Sequence, residues 1–157
     1  MKALTKMNIF LKLFGLSKVP LIAYVNPKII ACDGQKVVVK IKLNRKTKNH
    51  LNSMYFGALA IGADISGGFL AAQIANEKKI RMSLAFKSMQ ADFLKRPEKD
   101  VLFTCLDGEL IQQMLAESQE TKKRINKDVN IVATCPDTFG DEPVATFILT
   151  LSIKVLT

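Results

Sequence analysis

The sequence predicts an α+β fold in which a sheet curls around one long central helix. Three observations carry this. Between Asn49 and Asn76 the stretch NHLNSMYFGALAIGADISGGFLAAQIAN holds a single formally charged side chain, Asp64. Several other segments alternate apolar and polar residues at the two-residue period of half-buried strands. The order is one strand, the apolar helix, then four strands with a short helix among them. A flat sheet needs only an amphipathic helix, so about five strands bury an all-round hydrophobic helix only by curling about it.

The chain, residues 1–157, is expected to form one domain with a single core. Its first segment, MKALTKMNIFLKLFGLSKVP, places Leu4, Met7, Leu11 and Phe14 at helical spacing. This predicts an amphipathic helix over residues 1–17 packed on the domain, with a helix lying on a membrane surface as the alternative. Lys6 and Lys12 interrupt the apolar run and no small-residue cleavage site follows, which argues against a signal peptide. After Pro20 and Pro27, QKVVVKIKLNRKT turns Val37, Val39, Ile41 and Leu43 one way and Lys40, Lys42 and Asn44 the other, as in a half-buried strand.

The central helix is expected over about residues 53–75. At 100° per residue, Gly57, Ala60, Asp64, Gly68 and Ala71 share one narrow face of the smallest side chains, and Leu59 and Leu70 face the sheet from the other side. The segment is long enough to cross a bilayer. Against that, Asn52, Ser53, Asp64, Ser66 and Gln73 would need partners in hydrocarbon, and four glycines weaken an isolated helix by roughly 1 kcal/mol each. Close packing in a core fits better.

RMSLAFKSMQADFL repeats the strand pattern with Met82, Leu84 and Phe86, and DVLFTCL and DVNIVATC are two further strands. Between those two, DGELIQQMLAESQETKKR is an amphipathic helix with Leu110, Ile111, Met114 and Leu115 on one side, Asp107 as its cap and basic residues in its last turn. TCPDTFGDEP is a turn or loop, and VATFILTLSIKVL closes the sheet with Phe147, Leu149, Leu151 and Ile153 inward.

A net charge of +9 and a pI near 9.6 attract anions: nucleic acid, acidic lipid or a phosphorylated small molecule. No Gly-rich aromatic strand motif or recognition helix accompanies the charge, so nucleic acid is not the expected partner. The basic clusters Arg45, Lys46, Lys48; Lys78, Lys79, Arg81; and Lys122, Lys123, Arg124 are solvated faces or, for one of them, a phosphate contact. Cys32, Cys105 and Cys135 lack CxxC spacing, which predicts no disulfide framework, no metal site and reduced thiols in a cytoplasm. His50 is the only histidine and no GxSxG elbow exists, so a catalytic triad is not expected. His50 is read as part of a polar cluster with Asn49 and Asn52 at the entry to the helix.

Asp64 is read as functional, with an inert interfacial carboxylate as the alternative. A partly desolvated carboxylate can orient or deprotonate water, and a helix N-terminal amide such as that of Gly57 can hold an oxyanion. NHLNSMYFGALAIGAD, with the strand before it, resembles the hotdog-fold thioesterase superfamily, most closely a branch known only as a domain of unknown function. The resemblance runs from about Pro20 to Thr157 and rests on Asn49, His50, the Tyr55-Phe56-Gly57 run and Asp64. It implies a curled antiparallel sheet around a long helix, and a homodimer or homotetramer with sites at the interface. Phenylacetate-pathway thioesterases of the superfamily carry an Asn, then His-Gly-Gly at the helix start, then an Asp two turns on. By that match Asn49, Gly57 and Asp64 take the catalytic positions, while Tyr55 and Phe56 stand in place of the His-Gly pair.

The resemblance thus implies hydrolysis of an acyl-CoA thioester. Asp64 would activate water, Gly57 would donate to the carbonyl oxygen and Asn49 would position the site. His50, Asn52, Tyr55, Phe56 and Gly68 would line the substrate pocket, with coenzyme A entering only as part of the substrate and no separate cofactor. A non-catalytic acyl-binding module is the alternative, which the Tyr55-Phe56 replacement favours and the lone Asp64 disfavours.

Overall fold

The computed structural model describes residues 2–156. Its elements are α1 (Lys2–Lys18), α2 (Pro20–Val25), β1 (Lys28–Cys32), β2 (Val37–Ile41), α3 (Phe56–Glu77), β3 (Met82–Phe93), β4 (Val101–Cys105), α4 (Gly108–Thr121), β5 (Ile125–Thr134), α5 (Pro136–Phe139) and β6 (Pro143–Val155). The six strands form one antiparallel sheet in the order β1-β2-β4-β5-β6-β3. α3 packs against β2, β4, β5 and β6, so the sheet wraps the long helix in the hotdog arrangement the sequence resemblance implied.

The core is the layer between that helix and the inward row of the sheet. Val37, Val39, Ile41, Phe103, Ile131, Leu149 and Leu151 come from four strands, and Ala63, Leu70 and Ile74 from the helix; all are essentially inaccessible. Small residues set how closely the layers approach. A β-carbon on Gly62 would lie 2.4 Å from the ring of buried Phe103, so only glycine lets that ring lie against the helix backbone. By length and composition α3 could cross a membrane, but two-thirds of its apolar window is buried inside the domain. Its hydrophobicity answers to the sheet.

Three elements go beyond the sequence reading. β1 is short and has no polar alternation; it is placed by its hairpin with β2, where Asp33 Oδ1 accepts from the amides of Gln35 and Lys36. α2 begins at Pro20 and is closed by Asn26 in the left-handed conformation. Within the predicted loop TCPDTFGDEP, Pro136–Phe139 makes one helical turn.

Helix boundaries also move for identifiable reasons. α3 begins at Phe56, not residue 53, because the preceding residues are held extended: Met54 donates to the Pro97 carbonyl and Tyr55 to that of Thr47. Asp107 does not cap α4; its Oδ2 accepts from the Asn130 amide of β5 at 2.6 Å. That helix stops where Lys122 turns left-handed (φ 59°), so Lys122, Lys123 and Arg124 follow it and are not in its last turn.

Two glycines of α3 separate close packing from mere smallness. Gly62→Ala should destabilise the protein by roughly 1–3 kcal/mol or more in urea unfolding, because Phe103 has no room to retreat. Gly67→Ala would meet Leu149 and Val129 at 3.4 Å, ordinary contact, and should be neutral or stabilising through helix propensity.

Candidate functional site

The sheet leaves one stripe of α3 uncovered. Gly57, Ala60, Ile61, Asp64, Gly68 and Ala72 are half-buried along it, while most of the helix is buried. Ala71, expected on this stripe, is fully buried and Ala72 takes its place, because a 3.6-residue turn drifts round the helix over four turns. Among the described residues, no hydrogen bond or ion pair engages the Asp64 carboxylate. Burial alone raises its pKa above the ordinary 3.8.

The wall on one side of Asp64 is β3. Its apolar residues change phase partway: Met82, Leu84 and Phe86 point inward, then Met89, Ala91 and Phe93, with a bulge at Lys87 between Phe86 and Ser88. The extra residue keeps the apolar set on the inner face in both halves. The tip of the Phe86 ring lies over Gly68, where a β-carbon would come within 3.2 Å. Phe86, Met89 and Phe93 are nevertheless exposed.

α1 and α2 form the opposite wall. Asn8 fixes α1 to the sheet edge like a one-residue strand: its Nδ2 donates to the Ile29 carbonyl and its Oδ1 accepts from the Ile29 amide, both at 2.9 Å. The two helices cross closely because Gly15 has no side chain, and a β-carbon there would sit 2.9 Å from the Ala23 amide nitrogen. Between these walls lies a cavity of about 420 Å³ in which Asp64 is the only charged residue among the described ones; Phe10, Phe14, Ile22, Gly68, Leu84 and Phe86 line much of the rest. A second hollow of about 360 Å³ meets the first at Asp64 and Phe86 and runs along Lys87, Ser88 and Met89.

The structure brings only Asp64 and Gly68 of the expected site residues into this cleft. Asn49 is occupied locally, where its Oδ1 accepts from the amides of Leu51 and Ser53 and from the Ser53 hydroxyl. His50 is exposed, and Asn52, in the left-handed conformation, accepts from Lys48. Tyr55 and Phe56 pack as tilted rings at the start of α3, with centroids 4.7 Å apart, and Phe56 continues edge-on to Phe93 at 6.1 Å. The Tyr55 ring also covers Gly57, whose β-carbon would lie 2.4 Å from it. The amides of Phe56 and Gly57 have no acceptor among the described residues, leaving the positive end of the helix open. Gly57 and Asp64 are two helical turns apart, about 10 Å along the axis.

Other nucleophiles are spoken for. The buried Ser66 hydroxyl donates to the Gly62 carbonyl at 2.7 Å. Burial pushes the Cys32 and Cys105 thiols up to about 11, far from a reactive thiolate at neutral pH. Among the described residues no cluster of three His, Cys, Asp or Glu could hold a metal ion. Of the basic clusters, Arg124 is engaged with Ser152 and Ser83, whereas Lys46 lies over the Tyr24 ring near the loop that enters α3. The sequence reading missed Phe10, Phe14 and the Lys87 bulge as parts of the site. For the bulge a signal exists, the shift of apolar residues from even to odd positions after Phe86.

Comparison with known proteins agrees with this architecture. The family described as a domain of unknown function, DUF4442, matches residues 7–152. A Pseudomonas aeruginosa protein of unknown function, named a probable thioesterase, superposes with a TM-score of 0.78 at 20% identity, over 97% of this chain and 96% of that one. A protein of unknown function from Chlorobaculum tepidum gives 0.80 at 16% identity, over 96% of each chain. A Haemophilus influenzae thioesterase gives 0.67 at 13% identity, over 94% of this chain and 89% of that one. At such identities the likeness is one of fold. No curated protein matches the chain.

The Asp64 environment predicts a pH signature. A carboxyl whose folded pKa is raised binds its proton more tightly folded than unfolded, so its burial opposes folding fully above the raised value and not at all below the ordinary 3.8. Asp64→Asn should therefore raise the melting temperature at pH 8, and the gain should shrink towards zero as pH falls below the usual carboxylate range. Paired thermal melts across pH check this.

Proposed function

The chain belongs to the DUF4442 family, and from that premise and the cleft around Asp64 we propose that it is an acyl-CoA thioesterase acting as a homodimer. One observation carries the reading: an unpaired, partly desolvated carboxylate in an apolar cavity of about 420 Å³, a volume that suits a small-molecule or acyl ligand. Thioesterases with the same fold support the choice of reaction.

In this mechanism the acyl chain lies along Phe86 and the walls of α1 and β3. Asp64 accepts a proton from a water molecule as the water oxygen bonds to the thioester carbonyl carbon. Negative charge gathers on the carbonyl oxygen and is met by the open amide of Gly57. The carbon–sulfur bond then breaks, the proton passes from Asp64 to the leaving thiolate, and the products are a carboxylic acid and free coenzyme A. In the proposed homodimer the carbonyl oxygen is met by Gly57 of the partner subunit, Gly57 of the same chain lying about 10 Å from Asp64 along the helix axis. Edge strand β3 favours such pairing: twelve residues long, it is hydrogen-bonded on one side only, with Phe86, Met89 and Phe93 exposed on its inner face. Basic residues Arg45, Lys46 and Lys48, close in sequence to that amide, suit the phosphates of coenzyme A.

A non-catalytic acyl-binding module is the second reading, favoured by the Tyr55 ring that covers Gly57. Release of free thiol from short, medium, long and aromatic acyl-CoAs decides between them. The thioesterase should turn over at least one class, and Asp64→Asn should lose roughly 10²-fold or more while acyl-CoA binding changes little. Tight binding without thiol release from any class would replace hydrolysis with carriage. Light scattering at micromolar concentration should give a dimer or tetramer.

A further inference from the structure

The outward face of the α1–α2 hairpin carries the strongest feature that the cleft does not use. Through the first 32 residues the chain has Lys2, Lys6, Lys12, Lys18 and Lys28 and no Asp or Glu. The same segment leaves large apolar side chains in solvent, among them Ile9 at 54%, Leu13 at 59%, Leu16 at 61% and Leu21 at 59% exposure. On the wheel of α1, Leu4, Leu11 and Gly15 face the domain, and Ile9, Phe10, Leu13 and Leu16 lie on the other side with Lys2 and Lys6 among them and Lys12 at the edge. A helix meant only to cover the core has no need of this outer row. Leucine and phenylalanine interleaved with lysine is the pattern of a helix lying in a bilayer interface, where lysine stems run along the apolar layer and their ammonium groups reach anionic headgroups.

We propose that this hairpin docks the protein on an anionic lipid surface. Charge selects that occupant over a second copy of the chain: a two-fold interface on this face would set Lys2, Lys6 and Lys12 against the same lysines of the other copy with no carboxylate from either hairpin between them, whereas acidic lipid neutralises them. Phe10 and Phe14 are exposed on this hairpin and also line the Asp64 cavity, so the docked face and the cleft share a wall. If the thioesterase reading holds, an acyl chain passes from the lipid layer into the cleft along those rings. Lipid docking itself needs no turnover.

Flotation with vesicles tests it, using pure phosphatidylcholine and phosphatidylcholine with 30% phosphatidylglycerol, at about 50 mM and 500 mM salt. The wild type should float with anionic vesicles at low salt and largely lose them at high salt. Each basic side chain near an anionic leaflet contributes about fivefold in partitioning, so Lys2→Gln with Lys6→Gln and Lys12→Gln should cost on the order of 10²-fold. Ile9→Gln with Leu13→Gln and Leu16→Gln should abolish flotation; these residues are exposed, and an unchanged melting temperature verifies the fold. No flotation by the wild type, or equal flotation with neutral vesicles, overturns the proposal. So does a glutamine variant that floats normally, or one that lowers the oligomeric state, which would assign the face to a second copy. Thiol release measured on the same variants in vesicle-free buffer reports separately on hydrolysis.

Discussion

A helix that is apolar all round must be covered on every side, and the rest of this protein follows from how that is done. Six strands can wrap most of α3 only if the layers approach closely, which is why Gly62 sits under the Phe103 ring and alanine recurs through the buried faces. Closing the sheet completely around so narrow a cylinder would require more curvature than six strands supply. The stripe from Gly57 to Ala72 stays partly open, touched from the sheet by the tip of the Phe86 ring over Gly68.

Asp64 stands on that stripe at a cost to folding. Its carboxylate is partly removed from water with no partner in return, and burial holds its proton more tightly than usual. A side chain serving stability alone would be alanine there, as at Ala60 and Ala72. The same neighbours that desolvate it, Phe86 from the bulged edge strand and the aromatic residues of α1, shape the cavity around it. The site is therefore built by three elements that meet only because β3 and α1 flank the uncovered side of α3.

α1 has two constraints on opposite faces. Its inner side is bound to the domain by Leu11, by Gly15 against Ala23 and by the paired hydrogen bonds of Asn8 to Ile29, which also quiet the free edge of β1. Its outer side presents apolar and basic residues to solvent. Because α1 walls the Asp64 cavity as well, whatever engages that outer side acts next to the site.

Sequence periodicity alone was enough for the α+β class, the five longer-range strands, the buried α3 and the isolation of Asp64, because burial on one or both faces imposes a pattern that each segment carries by itself. The resemblance around Asn49–Asp64 added the hotdog arrangement. What depended on the tertiary structure was everything set by a partner distant in sequence. β1 exists as a strand through β2, α3 starts late because Pro97 and Thr47 hold the residues before it, and Asp107 serves β5 and not its own helix. The arrival of Phe10 and Phe14 beside Asp64 has the same origin. Local spacing fixes which face of an element is apolar, but the surfaces that converge in space are chosen by packing between elements, and no single segment encodes that.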